Sequence, residues 1–217
     1  ALYRALAEVA PCPYGALLEA DGVTVISGSP ERFLALVGDR VETRPIKGTR
    51  PRGPGAATEL AASPKDAAEH LMIVDLERND LGRVAELGSV AVDSFARVVA
   101  LPTVLHLVST VSCRTSAGLA ELLRATFPGG SITGAPKRRA MQIIDELEPF
   151  ARGAYTGAFG TIGRDGALDL AIAIRTAIVT PSEVRVAVGG GVVADSTLER
   201  ELEETEEKAA AWRAALA

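Results

Sequence analysis

Apolar residues open the chain at Leu2, Tyr3, Leu6 and Val9, the three-to-four spacing of a helix that buries one side. The period then shortens. Stretches at 14–20, 23–27, 33–37 and 41–45 read as short strands, with Asp21-Gly22 and Gly38-Asp39 as turns, and predict an antiparallel meander. Ser63-Pro64-Lys65-Asp66 has the form of a capping box with proline at the first helical position, and starts a helix that runs to about Leu81 and is closed by Gly82. Strands near 89–94 and 104–113, a short helix at 119–126, a glycine-rich loop, and a helix from about 136 to 147 stopped by Pro149 follow. Strands return at 155–162, 168–179 and 184–188, and a long helix capped near Ser196 runs to Leu216. Hairpin-paired strands with helices inserted in blocks predict an α+β fold with antiparallel sheets rather than an alternating βαβ order. No repeat, low-complexity segment or linker divides the pattern, so residues 1–217 are expected to form one domain.

Composition narrows the function. With 47% hydrophobic residues the 217-residue chain has ample material for a core. Its formal charge of -5, with no basic stripe along a helix, speaks against nucleic acid as a partner. Cys12 and Cys113 are the only thiols, with no CxxC and no His-rich tract, which suits a reducing cytoplasm better than a disulfide framework or a zinc site. No apolar run reaches the roughly 18 residues of a membrane span. The chain opens on Ala1 with neither a signal peptide nor an initiator methionine, as expected of a fragment or a shortened family member.

Five places carry candidate chemistry. In the strand at 168–179, Arg175 alternates with alanines, so it faces either a pocket where a guanidinium takes a carboxylate bidentately or an internal acid. Six of the nine residues from Glu199 to Glu207 are glutamate, an ordinary solvated face, yet Glu201, Glu204 and Lys208 share one helical stripe. Together with Glu69, such carboxylates suit a hard cation such as Mg2+. His106 lies on an apolar strand, as a core histidine or a catalytic one, and Glu31 follows Ser29-Pro30, as a cap for backbone donors or an acid. Lys47 sits in RPIKGTRPRG, where prolines restrict the chain and Gly48 permits close approach, so this is either a basic surface loop or a placed amine. The glycine runs VAVGGGVVAD and GGSITGAPK fail as nucleotide motifs, because no second strand with an acidic residue follows the first and no Lys-Ser/Thr ends the second. Their backbone N–H groups remain suited to an anion.

Taken in order, SPERF, PIKGTRPRG, EHLMIVDLERNDLGRV, HLVSTV, FPGGSITGAPKRRAMQIIDELEP, IRTA and GGGVVADSTLERELEETEEKA resemble the chorismate-utilising enzymes over nearly the whole chain. The resemblance implies two stacked antiparallel sheets flanked by helices. It implies that Glu69 and Glu201, with Glu204 close by, are similar to an Mg2+ shell for the ring carboxylate, supported by Lys208. Arg175 and Tyr155 resemble the clamp on the enolpyruvyl carboxylate, helped by the backbone near Gly191, and Ser131 resembles a hydroxyl lining the ring pocket. Glu31 and His106 match acid/base positions near the C4 hydroxyl. Lysine at position 47, where anthranilate synthases typically carry alanine, is similar to the nucleophile of aminodeoxychorismate synthase, freed for attack by desolvation beside cations. The implied activity is amination of chorismate to 4-amino-4-deoxychorismate on the route to 4-aminobenzoate and folate. The alternatives are anthranilate synthase component I and a catalytically silent chorismate-binding module. With no glutaminase cysteine motif, ammonia is expected from solution or from a separate glutamine amidotransferase. Family members carry a further N-terminal half, with a segment resembling Gly-Asp-x-x-Gln-Val-x-Leu that completes the sheet. Nothing before Ala1 supplies it, so the fold is expected to be N-terminally incomplete.

Overall fold

The computed structural model describes residues 1–102 and 104–217. Helix α1 (Leu2–Val9) leads into strands β1 (Tyr14–Ala20), β2 (Val23–Ser29), β3 (Arg32–Val37), β4 (Arg40–Arg44) and β5 (Ile46–Pro51). Helices α2 (Ala56–Ala61) and α3 (Pro64–Gly82) precede the long strands β6 (Ala91–Ala100) and β7 (Val104–Arg114). Helices α4 (Leu119–Thr126), α5 (Gly130–Thr133) and α6 (Lys137–Leu147) come next. The chain closes with β8 (Ala158–Ile162), β9 (Leu168–Ile172), β10 (Thr176–Val179), β11 (Val184–Ala187) and α7 (Leu198–Leu216). This is the α+β class that the hydrophobic pattern predicts, with the two sheets that the resemblance implies. The chain forms two compact units. The first comprises Ala1–Glu31, Arg152–Ala158 and Ala171–Ala217, and the second Arg32–Ala151 and Phe159–Leu170.

In the first unit a four-stranded sheet runs β1-β2-β10-β11, each pair antiparallel. Leu6 of α1, Ile26 of β2, Ala177 of β10 and Trp212 of α7 form its core. The opening apolar stripe is thus what docks α1, through Leu2, Tyr3 and Leu6. Thr197 is the N-cap of α7 and makes no side-chain cap bond. The Ser196 hydroxyl expected there instead accepts from the Val193 N–H (3.0 Å) and donates to Glu201 (2.5 Å).

The strands of the second unit belong to a seven-stranded sheet ordered β5-β7-β4-β3-β9-β8, with β6 also on β7. Strands β4 and β5 lie end to end along β7, Thr43 facing Val111 and Ile46 facing Val108. Pro45 stands at the join. It has no N–H to donate, but its carbonyl accepts the Ser109 N–H at 3.2 Å. RPIKGTRPRG is therefore strand and not surface loop, and the short α2 that follows packs Ala56 and Leu60 against Leu105 and Leu107 of β7. In α3 the Ser63 hydroxyl accepts the Asp66 N–H at 3.3 Å, the cap its sequence predicts.

The stretch at 168–179 is not one strand. β9 and β10 end up in different sheets, and between them Ile174 N–H bonds back to Ile172 while Ala173 pairs with residues 156 and 157. Arg175 takes a left-handed φ of 49° at the corner. Strict alternation therefore does not place its side chain. Apolar residues on both sides of the break fit either sheet, so periodicity does not reveal the bend.

Candidate functional site

In the second unit the buried face of α3 carries Asp66, His70, Ile73, Val74, Glu77, Asp80 and Leu81, a helical stripe in which four of seven members are ionisable. Each of the four is met from another element. Arg50 bonds Asp66 at 2.8 Å, Ser109 meets His70 Nε2 at 2.6 Å, Thr43 donates to Glu77 at 2.7 Å, and Lys137 donates to Asp80 at 2.5 Å. Glu69, beside this stripe, receives Lys47 Nζ at 3.1 Å. Lys47 also donates to the Ser131 carbonyl at 3.3 Å. The bulge after Lys47 is made by Gly48 at φ 70°, and a Cβ there would stand 3.0 Å from Leu60 and 3.2 Å from Asp66, so only glycine lets β5 lie this close to α2 and α3.

His106 is buried opposite Thr49, and its Nδ1 lies 3.0 Å from Thr49 Oγ1 and 3.3 Å from the Gly48 carbonyl. Both contacts fall on Nδ1, the shorter to a hydroxyl and the longer to a carbonyl. The Ser131 hydroxyl, in α5, is buried and has no hydrogen-bond partner among the described residues. The same holds for His70 Nδ1. Burial first, and then the nearby charge of Lys47, pulls the His70 imidazole down to about 4. Burial pushes the Asp80 carboxyl up despite Lys137 beside it. Of the sequence-predicted residues, this unit thus brings together Lys47, Glu69 and Ser131, with His106 on the next strand. His70, Asp66, Glu77, Asp80 and Lys137 were not anticipated. For the four on α3 the signal is the recurrence of ionisable residues at steps of four, seven and three, which reads as an exposed face until their partners are known.

The first unit holds Glu31, Tyr155, Arg175, Gly191, Glu201, Glu204 and Lys208. Lys208 donates to Glu204 at 2.6 Å and to the Gly189 carbonyl at 3.0 Å, which ties α7 to the glycine run. A Cβ on Gly189 would stand 2.7 Å from the Tyr155 hydroxyl, and one on Gly190 would stand 3.2 Å from Glu201 Oε2 and 3.8 Å from Glu204 Oε1. The run is therefore a bare backbone wall facing one phenol and two carboxylates. Gly191 continues it.

Arg175 is mostly buried, and burial pushes its pKa down from the ordinary arginine value, with Cys12 and Glu31 pulling the other way. No ion pair joins it to a carboxylate among the described residues. Burial likewise raises the Cys12 thiol, opposed by Arg175. Glu31 is buried, donates its N–H to Ser29 Oγ at 3.2 Å and gives its carbonyl to the Ile172 N–H at 3.1 Å. Its backbone makes these two turn bonds. Among the described residues no three His, Cys, Asp or Glu side chains gather as a metal-binding group. The Glu201–Glu204 pair, with room before it at Gly190, fits a cation such as Mg2+ that takes one or two carboxylates and keeps its waters.

Comparison with known proteins is consistent along the chain. Residues 1–214 match the family model described as chorismate binding enzyme. The chain is 51% identical over 214 residues to anthranilate synthase component 1 1 of Haloarcula marismortui, covering 95% of this chain and 44% of that protein. It is 51% identical over 223 residues to aminodeoxychorismate synthase of Streptomyces pristinaespiralis, covering 99% of this chain and 31% of that one. The crystal structure of anthranilate synthase component I from Streptococcus pneumoniae TIGR4 superimposes with a TM-score of 0.87 at 40% identity, over 96% of this chain and 48% of that one. The chain spans less than half the length of these relatives.

Proposed function

The chain belongs to the family of chorismate binding enzymes, and on that premise we propose that it aminates chorismate to 4-amino-4-deoxychorismate, using ammonia from a separate glutamine amidotransferase. Identity to anthranilate and aminodeoxychorismate synthases is equal, so it does not separate the two products. The observation that carries the reading is Lys47, withdrawn from water on β5 and held between Glu69 and the Ser131 carbonyl. A solubility lysine has no use for such a position.

Lys47 is the nucleophile. Its neutral amine forms a bond to ring C2, the double bond shifts, and the C4 hydroxyl departs as water with a proton from an acid, the role given to His106 and Glu31. Ammonia then bonds to C4, the double bond shifts back, and the lysine leaves C2 with its electron pair, regaining a free amine. The other roles are assigned residue by residue. Arg175 offers a guanidinium fork, and Tyr155 a hydroxyl, to the enolpyruvyl carboxylate, with backbone donors near Gly191 beside them. Ser131 gives its hydroxyl to the ring. Glu201 and Glu204 would hold Mg2+, a task that the resemblance also gives to Glu69, and Lys208 orients Glu204. When bound, Mg2+ supplies positive charge against the ring carboxylate.

Incubation with chorismate, MgCl2 and ammonium chloride, followed by mass spectrometry, tests the proposal. The expected product is aminodeoxychorismate. Anthranilate with pyruvate would assign the other chemistry, and chorismate bound but unchanged would make the chain a binding module.

A further inference from the structure

Tyr155 meets the glycine run from a short connection between α6 and β8, not from a strand or a helix. Its N–H bonds the Arg152 carbonyl at 3.1 Å, and the Gly157 N–H bonds the Ala154 carbonyl at 3.1 Å, so two overlapping turns carry the ring. A turn lacks the hydrogen-bond ladder that steadies a side chain on a strand. Yet the phenol hydroxyl lies so near the Gly189 backbone that a Cβ there would stand 2.7 Å from it.

Thr156 is the strained point of this connection. Its φ of 65° lies in the left-handed region, which a β-branched residue rarely enters and which persists only where its surroundings enforce it. Its N–H reaches the Ala173 carbonyl at 2.7 Å, and Ala173 returns its N–H to the Gly157 carbonyl at 2.9 Å. The Thr156 hydroxyl donates to the Tyr155 carbonyl at 2.5 Å and accepts from Arg152 Nη1 at 3.4 Å. The same guanidinium stands over the Tyr155 ring, with Cζ 6.0 Å from the centroid, where the negative face of the ring attracts a cation. One side chain thus braces both the ring and the strained residue beside it.

We propose that Arg152 is a positioning residue that sets the Tyr155 phenol against Gly189 before the ligand arrives. The inference rests on the reading that gives Tyr155 to the enolpyruvyl carboxylate. Arg152 acts through Tyr155 and not on the carboxylate. Without it the ring is free to turn away from the glycine run, and the cost of fixing it falls on binding.

Calorimetric titration with chorismate of the parent, Tyr155→Phe, Arg152→Met and the double variant tests the coupling. Tyr155→Phe should bind roughly tenfold more weakly or worse, the loss of a hydrogen bond to a charged group. Arg152→Met should lose a large part of that factor in the parent, but less than about twofold when Tyr155 is already phenylalanine, because a residue that acts only through the hydroxyl has nothing left to position. Arg152→Lys, which keeps a cation for the ring, should fall between the parent and Arg152→Met. Equal losses from Arg152→Met in both backgrounds would place Arg152 on the ligand itself and overturn the proposal. A weakened Tyr155→Phe with parent affinity in Arg152→Met overturns the proposal and leaves the role of Tyr155 standing. Parent affinity in Tyr155→Phe removes that role and the proposal with it.

Tyrosine-ring NMR of the ligand-free chain gives a readout that needs no chorismate, with Tyr3 and Tyr14 as internal references. The Tyr155 ring signals, identified by their loss in Tyr155→Phe, should shift in Arg152→Met while those of Tyr3 and Tyr14 stay in place. Unmoved Tyr155 signals overturn the proposal, whether or not chorismate binds. Movement of all three tyrosines would make Arg152 a support of the whole unit and overturn it as well.

Discussion

The two units treat buried charge in opposite ways. In the second, Lys47, Arg50 and Lys137 each meet a carboxylate of α3, and Arg32 meets both Glu42 and Asp169. In the first, Arg175 is mostly buried with no carboxylate ion pair among the described residues. Burying the guanidinium costs free energy that Cys12 and the charge of Glu31 offset only in part, whereas the charges paired on α3 compensate each other. The comparison assigns different tasks. In the second unit Arg50–Asp66 and Lys47–Glu69 hold β5 to α3, Lys137–Asp80 joins α6 to α3, and Arg32 ties β3 to β4 and β9. Arg175 is the residue that the proposed function gives to the enolpyruvyl carboxylate.

The sharpest break in the comparison is expected at Lys47. Lys47→Ala should slow single-turnover formation of aminodeoxychorismate by orders of magnitude with little change in chorismate affinity, since a covalent step is lost rather than a binding contact. A variant that turns over bound chorismate at the parent rate would return Lys47 to a purely structural pair. Next in size is Lys137→Met, which strands the buried Asp80 carboxylate. Urea unfolding should show a loss of about 3–5 kcal/mol, the usual cost of breaking a buried pair from one side. A loss below about 1 kcal/mol, as for exposed pairs, would mean that the second unit does not depend on its internal compensation.

His70 sharpens the same point through pH. Its imidazole titrates near 4 in the folded chain and near 6.5 when unfolded. Between these values the unfolded chain binds the proton and the folded chain does not, so stability is full above pH 6.5 and falls as pH drops toward 4. The loss integrates to about 3 kcal/mol at most. Urea titrations at pH 7 and pH 4.5 should show a smaller pH-dependent loss in His70→Gln than in the parent, and equal losses would disprove the assignment. The smallest effect separates binding from stability in the first unit. Arg175→Lys should weaken chorismate binding by about 1.5–3 kcal/mol, because an ammonium does not reproduce two parallel hydrogen bonds. Unfolding free energy should change by less than about 1 kcal/mol, as when no buried partner is left behind. The reverse pattern would place Arg175 in the fold's own framework.

What the sequence by itself determined was local. Helix α1 followed from four apolar positions, α3 from Ser63-Pro64-Lys65-Asp66, and the β1–β2 hairpin from Asp21-Gly22. The grouping of Glu201, Glu204 and Lys208 followed from helical spacing alone. These features depend on residues within a turn or two of one another, where backbone geometry dictates who meets whom. The motifs also carried the family, because their order survives without any knowledge of contacts. Only the tertiary structure decided the rest. It turned RPIKGTRPRG into a strand, because β7 offers hydrogen bonds on both sides of Pro45, and it broke 168–179 at Arg175, because its halves serve different sheets. It also paired Lys47 with Glu69 and hid four ionisable residues along α3 behind partners far away in sequence. Charge on a helix face looks alike in sequence whether water or a counter-ion awaits it, and that choice is made when distant elements pack.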